Sequence, residues 1–164
     1  MLNEATVKMG RRKVMDLDRF IPSYLTQISN KWSRGSSRLY LKKFNIGVNE
    51  WRVMVIFARE PGITAQGACD ILGSDKAAAG RSVAILEDRG LVRLEASKSD
   101  RRSRHIYLTD EGWRMHNKIL AIALARERLL LDAFSQEEVD TLIGLLDRVR
   151  QNLVRLHLDT DGGA

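Results

Sequence analysis

Four cations crowd one short stretch of the chain, Lys98, Arg101, Arg102 and Arg104, and Asp100 is the one acid among them. Side chains of this kind pair with phosphates or enter a narrow groove of enhanced negative potential. Earlier in the chain, Lys76 and Arg81 bracket a run almost without bulk, Ala77, Ala78 and Gly80, followed by Ser82. Small residues let a backbone approach a surface closely while flanking cations reach bases or phosphates. Each feature alone has a plainer reading, helix propensity for the alanines and a solvated turn for the arginines. Their succession along one chain favours contact with a polyanion.

Other chemistry finds little support. His105, His116 and His157 show neither His-x₃-His spacing nor a neighbouring carboxylate cluster, and the one cysteine, Cys69, has no partner for a Cys-x₂-Cys pair. No metal or cofactor is therefore expected. An enzyme would need a paired nucleophile and base or a phosphate-cradling glycine loop, whereas Gly10, Gly35 and Gly47 are scattered. The chain reads as no enzyme. Cys69 occupies a small position expected to be buried, with no Lys, Arg or His within a helical turn to lower its pKa. A structural role is expected, an oxidant-sensing one being the alternative.

The elements that would hold the cations follow from periodicity. Thr64 is an N-cap, Ala65, Ala68, Cys69 and Leu72 recur at helical steps, and Gly73 ends a short helix. Ser74 is placed to cap a second helix with a stripe of Ala79, Val83 and Leu86, which stops at Gly90. Two helices joined by a Gly-containing turn form a helix-turn-helix. Beyond it the period changes: Leu91–Leu94 and His105–Leu108 are β-prone runs around the basic loop, a two-stranded wing. The expected fold is mainly α with a small β-wing, a winged helix-turn-helix.

Length and composition agree. The 164 residues are 44% hydrophobic, enough for one core, and Lys and Arg outnumber Asp and Glu by 27 to 21, a net charge of +6. A basic balance suits nucleic acid. No run reaches the roughly 18 apolar residues of a membrane span, and no signal-peptide core is present, so a cytoplasmic protein without membrane contact is expected.

Five segments follow along the chain. Residues 1–16 carry Lys8, Arg11, Arg12 and Lys13 without a sustained stripe and read as a mobile basic arm. Residues 17–48 hold Phe20, Ile21, Tyr24, Leu25, Ile28 and Trp32 at helical steps, with Pro22 in a first turn and a kink or break open at Gly35. Residues 49–109 form the winged helix-turn-helix, entered by a helix from Glu50 to about Arg59 that Asn49 would cap. Residues 110–157 form two more helices, one capped by Thr109, the other opened by the capping box Ser135-Gln136-Glu137-Glu138. Residues 158–164 are expected to fray. Both ends of the chain carry more apolar surface than one core absorbs, so the N- and C-terminal helices are expected to form a dimerisation region.

Asn49-Glu50-Trp51-Arg52-Val53-Met54, Leu86-Glu87-Asp88-Arg89-Gly90-Leu91-Val92, Asp100-Arg101-Arg102-Ser103-Arg104 and Leu108-Thr109-Asp110-Glu111-Gly112 follow one another around the helix-turn-helix. In this order they resemble the multiple antibiotic resistance regulator (MarR) family over residues 17–156, most specifically where the wing joins Leu-Thr-Asp-Glu-Gly. The resemblance implies a homodimeric transcriptional regulator, usually a repressor, that leaves a palindromic operator in double-stranded DNA when a small effector binds. It implies that Asp100 and Arg102 orient the wing and contact the DNA backbone or minor groove, and that Arg81 lies on the recognition helix. Ala77, Ala78 and Gly80 depart from the hydroxyl residues common there. It further implies an aromatic acid or aromatic acyl-CoA effector in a cleft that Tyr24, Ile28, Trp32, Trp51, Met54 and Trp113 would line, with Arg34 or Arg38 meeting an anion. A winged-helix module that binds protein instead of DNA is the alternative, since fold does not dictate function.

Overall fold

The structure, a computed structural model, describes residues 4–96 and 104–161, without the side chains of 154 and 157–161. The chain runs β1 (Thr6–Met9), β2 (Arg12–Met15), α1 (Ile21–Phe44), α2 (Val48–Arg59), α3 (Ala65–Leu72), α4 (Lys76–Asp88), β3 (Val92–Ala96), β4 (Arg104–Leu108), α5 (Asp110–Leu130) and α6 (Gln136–Asp161). It divides into two compact units, Met1–Ile119 and Leu120–Ala164, with the boundary inside α5.

The first unit holds the winged helix-turn-helix. Its core gathers Tyr40 of α1, Met54 and Phe57 of α2, Leu86 of α4 and Ile106 of β4, with Ile46 between the first two helices. α1 runs unbroken through Gly35. Ser33–Ser37 has poor helix propensity, but Ser36 and Tyr40 are buried, and tertiary packing overrides so weak a local preference. Pro22 falls in the first turn, where a missing N–H costs nothing.

Caps set the helix ends, and two differ from expectation. α2 is capped at Gly47, which leaves Asn49 inside the first turn. Glu50, in the same turn, folds its carboxylate back so that a Cβ on residue 47 would lie 2.0 Å from Oε2. α4 is capped by Asp75, whose carboxylate accepts the Ala78 N–H at 3.0 Å, in place of Ser74. Ser74 is engaged in closing α3 instead, its N–H donating to the Cys69 carbonyl at 3.2 Å past the left-handed Gly73. Thr64 caps α3 as expected, its hydroxyl accepting the Gly67 N–H at 3.1 Å.

β3 and β4 pair antiparallel from Val92↔Leu108 to Ala96↔Arg104. The Gly62-Ile63 segment adds to their outer edge: the Gly62 N–H donates to the Ile106 carbonyl at 2.9 Å and the Ile106 N–H to the Ile63 carbonyl at 3.2 Å. Thr109 then caps α5, its hydroxyl accepting the Gly112 N–H at 3.0 Å and donating to the Gly90 carbonyl at 2.7 Å.

The N-terminal stretch is not without structure. Residues 6–15 form an antiparallel hairpin, Thr6↔Met15 to Met9↔Arg12, closed by the two-residue loop Gly10-Arg11. Gly10 at φ +61° stands first in that loop, the place glycine takes in a type II′ turn. Four-residue strands offer too short an alternation to stand out in a polar sequence.

In the second unit, α6 opens with the expected capping box: the Ser135 hydroxyl accepts the Glu138 N–H at 3.2 Å, and the Glu138 carboxylate accepts the Ser135 N–H at 2.8 Å. α6 stays helical through Asp161, beyond the fraying point expected at 158. Leu142, Ile143, Leu146 and Leu153 lie exposed along it.

Candidate nucleic-acid interface

α4 has two faces. Ala79, Ser82, Val83 and Leu86 turn into the unit, while Lys76, Ala77, Gly80 and Arg81 are exposed. Nothing in the chain lies within 4 Å of where a Gly80 Cβ would stand. The protein itself thus has room for a side chain at 80, and glycine there leaves the helix surface low. Neither Lys76 nor Arg81 forms an ion pair among the described residues, so both cations face solvent uncompensated.

One expected contact residue belongs elsewhere. Ser82 is 2% exposed, and its hydroxyl donates to Glu50 Oε1 at 3.3 Å. It ties α4 to α2 and cannot reach a partner beyond the exposed face. Ala78 is half-buried. Of the wing residues, Arg104 stands exposed at the start of β4; Lys98, Asp100, Arg101 and Arg102 lie outside the described residues.

Residues that sequence reading did not single out hold this face in place. Arg89, at the end of α4, donates through Nη2 to the Phe44 carbonyl at 3.0 Å and through Nη1 to the Asn45 carbonyl. A cation at the carbonyl-rich end of α1 is favoured by the helix dipole, and it locks the end of α4 to α1. On the wing, the Arg93 guanidinium lies 4.5 Å from the centre of the Tyr107 ring and bonds to Glu95. His105 donates from Nδ1 to the Gly62 carbonyl at 2.7 Å and so is engaged in the wing edge. These contacts join distant positions in sequence, and no local spacing announces them.

The eight residues expected around an effector stand in different surroundings, and none of them lines the cleft the structure shows. Tyr24 and Ile28 are exposed on the first half of α1, the Tyr24 hydroxyl donating to the Asp18 carbonyl at 3.0 Å. Trp32 is half-buried, and Arg34 and Arg38 face solvent. Met54 is wholly buried core. Trp51 packs 5.2 Å from His116, which meets Trp113 edge-on at 5.5 Å, so these aromatic residues fill space against one another. A cleft of about 330 Å³ opens at a different place. Ser29, Asn49, Arg52, Leu72, Ser74 and the inner side of α4 at Ala78, Ala79 and Ser82 line it. Its arginine is Arg52, which donates to the Ser33 hydroxyl at 2.7 Å.

Cys69 is buried, with its thiol donating to the Ser74 carbonyl at 2.6 Å. A thiol so enclosed packs as a small apolar side chain with its donor satisfied. No cluster of three or more metal-ligating side chains occurs among the described residues, and none of their helices is long and apolar enough to cross a membrane.

Comparison with known proteins bears on the whole arrangement. A sequence profile described as MarR family matches residues 44–103, from the end of α1 into the wing. The chain is 34% identical to the transcriptional regulator HosA of Escherichia coli O111:H- over 65% of its own length and 73% of that protein. It is 27% identical to the HTH-type transcriptional regulator PecS of Dickeya dadantii over 90% of its length and 92% of that protein. Among solved structures it is similar to a MarR/EmrR family transcriptional regulator from Acinetobacter sp. ADP1, with 32% identity and a TM-score of 0.80, covering 86% of this chain and 99% of that one.

Proposed function

The chain belongs to the MarR family, DNA-binding transcriptional regulators and not enzymes, and from that premise we propose that it is a homodimeric repressor of a pseudo-palindromic operator, released by a small aromatic acid. One observation carries the DNA-reading part: the exposed face of α4 is small at Ala77 and Gly80 and cationic at Lys76 and Arg81, with no acid paired to either cation among the described residues. A helix of that relief lies deep in a major groove. Arg104 and the wing residues Lys98, Asp100, Arg101 and Arg102 complete the proposed contact along the flanking backbone.

The effector part rests on the cleft. About 330 Å³ is at the lower end of small-molecule sites and holds one aromatic ring with its carboxylate, not a whole coenzyme A thioester. That size favours the free acid. Arg52 meets the anion, and the inner side of α4 at Ala78, Ala79 and Ser82 forms part of the lining. A ligand there presses on Ala78 and Ala79, behind the residues that face DNA, and shifts the population toward an arrangement that no longer matches the operator.

Selection of duplexes from a random pool by the full chain tests this. The expected product is a two-fold symmetric site, bound with a steep salt dependence and released by a one-ring aromatic acid. Arg52→Gln should bind the same site and lose that release. Recovery of no common sequence would overturn the operator reading; release undiminished in Arg52→Gln would move the effector out of this cleft.

A further inference from the structure

The N-terminal hairpin is the strongest unexplained feature of the first unit. Its ten residues, Thr6 to Met15, contain four cations and no acid. The antiparallel register puts Lys8 directly opposite Lys13, on the same face as Thr6 and Met15, while Arg12 shares the other face with Met9 and Arg11 stands at the tip. Like charges opposed across two strands destabilise the pair, and an isolated two-stranded hairpin is marginal already. Flanking Glu4 bonds to Lys13, and no other cation of the hairpin has an ion-pair partner among the described residues.

The connector from the hairpin into α1 is held by local bonds. Asp16 accepts the Asp18 N–H on its carboxylate at 3.1 Å and the Arg19 N–H on its carbonyl at 3.1 Å. Tyr24 of α1 reaches back to the Asp18 carbonyl, so the connector is bonded at each step into α1. A ribbon with cations on both faces and at its tip does not match a flat acidic surface, which would meet one face. It matches a groove with phosphates along both walls.

We propose that this hairpin is a second DNA-contacting element, a basic ribbon that engages backbone phosphates of the duplex and adds affinity without reading sequence. The proposal rests on the DNA-binding function of the family and adds to it a site distinct from α4 and the wing. Deleting phosphate contacts weakens binding to all sequences alike and lowers the salt slope by about one for each cation lost.

The test measures binding of the full chain to a duplex selected from a random pool and to a random 30-base-pair duplex across a salt series. The variant Lys8→Gln/Arg11→Gln/Arg12→Gln/Lys13→Gln should lose about tenfold or more on both duplexes, with the slope of log affinity against log salt reduced by about two to four and the preference between the duplexes unchanged. Lys8→Arg/Lys13→Arg, which keeps every charge, should bind as the unaltered chain does. Unchanged affinity and slope in the four-fold variant would overturn the proposal. A change in sedimentation without a change in slope would overturn it in favour of a protein-facing hairpin. An equal loss in the charge-keeping variant would overturn it by showing that hairpin folding, not charge, is responsible. Failure of the unaltered chain to bind either duplex would remove the DNA reading itself, and this proposal with it.

Discussion

Gly80, Arg81 and Ser82 are consecutive, yet they serve different surfaces. Arg81 faces solvent, Ser82 is bonded to Glu50 inside the unit, and Gly80 meets nothing. Composition alone grouped Ser82 with the contact residues; the turn of the helix separates it from them, because 79, 82, 83 and 86 share the buried side. Gly80 is the informative one. Glycine inside a helix costs about 0.5 to 1 kcal/mol relative to alanine, and here no neighbour requires it. Gly80→Ala should therefore stabilise the free protein by about that amount, measured by denaturant unfolding. The same methyl group stands on the surface proposed to approach the bases and should overpack it, at about 1 to 3 kcal/mol or roughly 5- to 150-fold in operator affinity. A more stable protein that binds the selected duplex less well is the expected combination. Undiminished binding would place the groove elsewhere than Gly80.

Helices and strands were largely legible, because their signals are local: Thr64, Gly73, Thr109 and the Ser135–Glu138 box each appear as caps where the sequence puts them. What stayed hidden was how elements meet. Ser74 looked like a cap and gave way to Asp75, since its backbone serves the end of α3. The Arg89 bonds to the end of α1 span more than forty residues and leave no periodic trace. Of the aromatic residues expected to line a cleft, Trp51 and Trp113 pack against His116 and Tyr24 is exposed, for the apolar character that suits a ligand suits a core equally. Gly112 shows the same limit. Its motif was visible, but the cause is a close approach: a Cβ there would lie 2.0 Å from the Leu91 carbonyl oxygen. That oxygen already accepts the Thr109 N–H at 3.1 Å, so backbone, not a pliable side chain, must move. Gly112→Ala should cost about 1 to 3 kcal/mol and lower Tm by roughly 2 to 12 °C. Because the clash lies where α5 meets Leu91, at the entry to the wing, operator binding should weaken with it. An unshifted melting curve would show that α5 can back away from the wing freely.

Recognition of a two-fold site needs more than one module, since each helix-turn-helix reads a single half-site and half-sites lie about 34 Å apart. The surface available for pairing two chains is apolar and continuous in spacing. On α6, Leu142, Leu146, Leu153 and Leu156 recur at intervals of three, four and seven, all exposed in the single chain, and the first half of α1 presents Ile21, Leu25 and Ile28 in the same way. These exposed apolar rows are the surface proposed for pairing two chains. Two glutamates within the α6 row, Leu146→Glu/Leu153→Glu, would bury uncompensated charge in such a contact, while both positions meet solvent in the separate chain. Sedimentation velocity should therefore show the unaltered protein at twice the 18.6 kDa chain mass and the variant at that mass, with helical circular dichroism retained. Operator affinity should fall toward that for random duplex, because the second half-site is no longer bound at the high effective concentration that linkage to the first provides. The two readings check each other. A monomeric variant that still holds the symmetric site at full strength would mean that each chain binds alone, and a variant that stays dimeric would assign the pairing surface to α1 or another face.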